Sequence, residues 1–109
     1  MALASCAAGE MPADAYKSRA ESLMASGDRA AALEVLRDGI YRHPDDYRLN
    51  MLMGRTLLAH YTDLTPHARS RYLARYYFRR AAASAPDTAS AGAALAEYER
   101  VRGQQKASQ

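Results

Sequence analysis

Apolar residues recur along this chain at helical spacing, in five blocks separated by helix breakers. From about Pro12 to Ser26, Tyr16, Leu23 and the small Ala20 share one face. Pro12 suits a first helical turn, where its missing N–H costs nothing. Gly27-Asp28 ends the block: Gly favours the left-handed position after a helix, and Asp is a good N-cap for the next. The spacing of Ala32, Leu33, Leu36 and Ile40 predicts a second helix over Arg29–Arg42, stopped by Pro44. A third spans about Asp46 to Tyr61. Its Leu49, Leu52, Met53, Leu57 and Leu58 leave little polar surface, so it should lie sandwiched between neighbours. "TDLTP", residues 62–66, breaks the chain and restarts it, with Thr65 as a cap and Pro66 in the first turn. The fourth helix runs to about Ser84 and is ended by Pro86. A fifth covers roughly Thr88 to Arg102, with Gly103 as its stop and "QQKAS" expected to fray. The expected organisation is a tether over 1–11, one helical domain over 12–102 and a tail over 103–109.

Composition agrees with helices. Val35, Ile40 and Val101 are the whole β-branched aliphatic set, which disfavours strands. The 109 residues suffice for one small domain with a single core. No apolar run approaches the ~18 residues of a membrane span. The net charge of +3 conceals a split. Residues 1–46 hold five Lys/Arg against eight Asp/Glu, whereas residues 47–86 hold seven Arg against Asp63 alone. Such a dipolar surface could orient a charged partner, or it could be a solvated arginine-rich helix face.

Pro44 and Pro86 each follow a helix and precede an aspartate that opens the next. The chain therefore reads as helix pairs closed by proline, and it resembles the tetratricopeptide family, whose unit is about 34 residues. With Pro44 as the closing proline, the first unit begins at Ala13. Tyr16, Ala20, Leu23, Ala32, Leu36 and Gly39 then fall where that family prefers bulky, small, large, small, large and small residues. The second unit begins at Tyr47 and places Asn50, Gly54 and Leu57 on its first helix; Asn50 departs from the pattern. Pro86 lies 42 residues after Pro44, eight more than the family's unit. Eight residues inserted around 60–71 restore the register, as Ala74, Phe78, Ala81 and Pro86. The fifth helix is the degenerate closing helix of such an array. The resemblance implies an all-α, five-helix antiparallel array of helix hairpins in a right-handed superhelix. It also implies that Gly54 sits at a helix crossing.

The resemblance further implies a concave binding face supplied by the first, third and fifth helices. Its apolar strip would be Met24, Met51, Leu58 and Leu95, with Tyr98 beside it and a rim of Lys17, Arg48 and Arg55. Met suits adaptable contacts, and Arg orients carboxylates or polar backbone. Such a groove would take an extended or helical segment of a protein partner. Glu21 and Leu52 stand where chaperone-tail-binding members hold Asn, so that carboxylate clamp is not expected. The alternative interface is the fourth helix, where "RSRYLARYYFRR" leaves Arg69, Tyr72, Tyr76, Arg79 and Arg80 facing outward. That pattern suits a protein contact or self-association, a homodimer among them. Interleaved Arg and Tyr can also bind nucleic acid or an anionic surface, a reading the residues favour less than a protein interface or a shielded core edge.

Little else suggests chemistry. His43, His60 and His67 neither pair at ligand spacing nor join a carboxylate in a metal motif, and the glycines are scattered rather than gathered in a phosphate loop. The chain reads as non-enzymatic, without cofactor or metal. A lone cysteine excludes an internal disulfide. "LASC", residues 3–6, resembles a bacterial lipobox, in which Cys6 would carry the lipid and provide the one membrane attachment, but only five residues precede it. A shortened lipoprotein of the periplasm or outer membrane and a cytoplasmic protein with a loose N-terminus both fit. The function these observations imply is an adaptor that recruits a protein segment to a larger assembly, with the cell envelope as its expected setting, or else a self-associating structural subunit.

Overall fold

A computed structural model describes residues 11–62 and 68–107. Cys6, Asp63, the Thr65-Pro66 cap and His67 lie outside the described residues. The fold is all-α, with five helices and, among the described residues, no strand. They are α1 (Ala13–Ala25), α2 (Arg29–Arg42), α3 (Tyr47–Thr62), α4 (Ala68–Ala83) and α5 (Thr88–Ala107). Each packs on the next in the chain, and α1 also touches α3. The body measures 56 × 33 × 20 Å, and its radius of gyration of 14.8 Å exceeds the roughly 13 Å of a compact domain this long.

The connections follow from local chemistry. Gly27 has φ +86°, the left-handed conformation that costs a side chain but not glycine. It lets the N–H of Asp28 bond to the carbonyl of Leu23 at 2.9 Å, and its own N–H bond to that of Met24 at 3.0 Å, the paired bonds of a Schellman turn. Asp28 then caps α2, its carboxylate accepting from the Ala31 N–H at 3.1 Å. Each proline stop is likewise followed by an aspartate cap. Asp46 accepts from the Leu49 N–H at 2.9 Å to open α3, and Asp87 accepts from the Ser90 N–H at 2.7 Å to open α5. That hydrogen bond, with help from the Ser90 hydroxyl, holds the Asp87 carboxyl below its ordinary range.

The core is built where the helical periodicity places it. Tyr16, Ala20, Ala32, Leu33, Leu36, Ile40, Leu49, Met53, Leu57, Ala74, Phe78, Ala81, Ala94 and Val101 are buried. Two glycines set the closeness of the crossings. A Cβ on Gly39 would lie 2.9 Å from Tyr16 Cβ and Cγ, where α2 meets α1. A Cβ on Gly54 would lie 2.6 Å from the Phe78 ring, so this glycine does occupy the α3–α4 crossing. Asn50, in place of a bulky apolar residue, is fully buried. Its amide donates to the carbonyls of Pro44 at 3.1 Å and Asp46 at 2.9 Å, tying α3 to the turn that precedes it. His43 performs a similar service for α1: its Nε2 lies 2.7 Å from the Met11 carbonyl, and its ring meets Tyr16 edge-on.

One boundary differs from the sequence reading. Gly103 does not stop α5, which continues to Ala107. A single helical glycine costs only about 1 kcal/mol relative to alanine. No proline follows it, and Gln104, Gln105 and Lys106 are all good helix formers.

Candidate protein interfaces

Two surfaces were expected from the sequence, and the structure brings some of their residues together while dispersing others. The first belongs to α1, α3 and α5. Asp14 on α1 forms an ion pair with Arg48 on α3, 34 residues later. Arg55 on α3 reaches Glu97 on α5 at 3.8 Å, and the Tyr47 hydroxyl donates to the Ser90 carbonyl at 3.1 Å. These side-chain contacts link α1 to α3 and α3 to α5. Met24 and Leu58 are half-buried, packed against the core, and Leu95 is 49% exposed.

Three expectations for this face require correction. Met51 is only 3% exposed and belongs to the core. The reason is the position of α3, which packs against α1, α2 and α4 and so buries a wider arc than a two-neighbour helix. Tyr98 turns toward α4 instead, its ring 5.9 Å from the Arg75 guanidinium and 5.7 Å from that of Arg79. The expected cationic rim is also already matched by carboxylates: Lys17 bonds Glu21 at 3.1 Å, one turn along α1, and Arg48 and Arg55 have the partners just given. The surface that remains is charge-balanced, with Met24, Leu58 and Leu95 as its apolar component.

The second surface is the α4 face. Tyr72 is 60% exposed and Tyr76 47%, and Arg79 is exposed. The side chain of Arg69 lies outside the described residues. Arg80 does not point freely outward as expected. It bridges to the α2–α3 turn, donating through Nη2 to the Pro44 carbonyl at 2.7 Å and through Nη1 to the Tyr76 hydroxyl at 3.2 Å. Arg75 was missed. Its guanidinium lies over both the Tyr72 ring, at 5.8 Å from the centroid, and the Tyr98 ring, at 5.9 Å. Its spacing of three residues from Tyr72 and four from Arg79 was the available signal. Tyr72, Arg75, Tyr76, Arg79 and Tyr98 together line a small cavity of about 130 Å³.

No helix among the described residues is long and apolar enough to cross a membrane, and no group of three or more His, Cys, Asp or Glu among them could hold a metal ion. No protein-family model matches the chain, and no curated protein or solved structure is significantly similar to it.

Proposed function

We propose that this chain is a non-enzymatic protein-interaction module of two tetratricopeptide-like helix pairs and a closing helix, and that it binds a segment of a protein partner across α1, α3 and α5. The observation that carries this reading is the set of links between odd-numbered helices: Asp14 to Arg48, Tyr47 to Ser90 and Arg55 to Glu97. They assemble one multi-helix surface from the first member of each pair, the arrangement in which such arrays present a ligand face. Met24, Leu58 and the exposed Leu95 supply the apolar anchors, and the ion pairs around them give orientation more than affinity. Photo-crosslinking amino acids placed at Leu58 and Leu95 should capture a protein partner in the native host. The same probe at Tyr41, 84% exposed on α2, should not. Adducts at Tyr41 alone would refute the reading.

Self-association through α4 is the second reading, favoured by the exposure of both Tyr72 and Tyr76 on that helix. It requires a solution mass above the 12.0 kDa of one chain, lowered to that value by Tyr72→Glu.

A further inference from the structure

Among the described residues, most carboxylates on the other helices and turns either meet a cation or cap a helix. Glu34 pairs with Arg37, Asp38 with Arg42, Glu97 with Arg100 and Glu99 with Arg102. Asp14 and Glu21 answer Arg48 and Lys17, and Asp28, Asp46 and Asp87 are committed as helix caps. The α4 segment contains no acidic residue at all. Among the described residues, Arg75 and Arg79 meet tyrosine rings but no carboxylate. Arg75 Nε is buried without a hydrogen-bond partner. Guanidinium groups stacked on aromatic faces keep their in-plane N–H donors for an acceptor that fits them edge-on, and a carboxylate does so.

We infer that the Arg75–Arg79 cluster, with Tyr72, Tyr76 and Tyr98, is a docking site for a carboxylate side chain presented by an acidic segment of another protein. The site is separate from the α1–α3–α5 surface and does not depend on that reading. Its cavity of about 130 Å³ has room for one side-chain head group. It falls well short of the ~300–1,000 Å³ typical of small-molecule pockets. A nucleic-acid backbone is a poorer match, because only two arginines, Arg75 and Arg79, line the cavity, whereas affinity for a phosphate backbone grows with the number of phosphates neutralised along it. A discrete carboxylate entering from the α4 side meets only the arginines and tyrosines.

The test is binding of a fluorescein-labelled hexaglutamate peptide, followed by anisotropy at low and physiological salt. Arg79→Gln should weaken binding, and Arg75→Gln/Arg79→Gln should weaken it about tenfold or more. The matched control Arg37→Gln/Arg42→Gln removes the same charge from α2 and should change affinity by less than about twofold. Helical circular dichroism checks folding, and Arg79→Gln, at an exposed position, keeps the test informative should the double variant unfold. Equal weakening by both doubles would show that net charge alone attracts the peptide, and would overturn the site. So would tighter binding of a single-stranded oligonucleotide of matched charge, or no peptide binding by the unaltered chain.

Discussion

Gly54 offers the sharpest test of how the helix pairs fit together. A methyl group at this position would sit 2.6, 2.7 and 2.9 Å from three atoms of the Phe78 ring, and that ring is fully buried. Carbon atoms are at their optimum about 3.5–4.0 Å apart, so the ring or the whole of α4 must retreat by roughly 1 Å. Overpacking of this kind costs about 1–3 kcal/mol. Against it stands the helix-propensity gain of Gly→Ala, about 0.8–1.0 kcal/mol. Gly92 supplies the internal control: it lies within α5, and a Cβ there would meet nothing within 4 Å. Gly92→Ala should therefore stabilise by up to about 1 kcal/mol, and Gly54→Ala should fall below it by about 1–3 kcal/mol. Gly54→Leu should fall further. Each kcal/mol moves the midpoint of a domain this size by roughly 4–8 °C, within reach of thermal and urea melts followed by circular dichroism. A cycle with Phe78→Leu sharpens the test, since removing ring atoms should cost less in the Gly54→Ala background than in the unaltered chain. Gly54→Ala and Gly92→Ala agreeing within about 0.5 kcal/mol would show that α3 and α4 do not cross at this glycine.

Three further outcomes are expected. Gly27→Ala should destabilise by about 1–2 kcal/mol in urea melts, because its φ of +86° places any side chain in the left-handed region. Met51→Glu should collapse the helical signal, not merely weaken partner capture, since it buries a carboxylate at a 3%-exposed core position without a partner. Asp87 has its folded-state pKa depressed by the Ser90 N–H, so its contribution is present above the ordinary aspartate value of 3.8 and is lost as pH falls through the lower folded value. The gap in melting temperature between the unaltered chain and Asp87→Ala should accordingly narrow on acidification below that range. A gap that widened there would contradict the assignment of the cap.

The sequence alone determined whatever depends on a few neighbouring residues. The Gly27-Asp28 break, the stops at Pro44 and Pro86, and the small residues at Gly39 and Gly54 all read correctly. Each rests on backbone geometry or on the absence of a Cβ, and neither property needs knowledge of distant chain. The same periodicity placed Leu36, Leu49, Ala74 and Phe78 in the core. Tertiary structure decided which outward-looking residues are free. Met51 reads as surface on its own helix, yet α3 is enclosed on three sides and buries it. Arg80 reads as part of an exposed stripe, yet the Pro44 carbonyl, 36 residues earlier, captures it. Arg48 and Arg55 look like an available rim until Asp14 and Glu97 arrive from other helices. Tyr98 reads as part of the α1–α3–α5 face, yet its ring lies against Arg75 and Arg79 of α4. Even Gly103, locally a stop signal, is carried through by α5. Local rules thus laid out helices, caps and core. Which charges and rings stay available depended on pairings between helices far apart in the chain, which no short window of sequence contains.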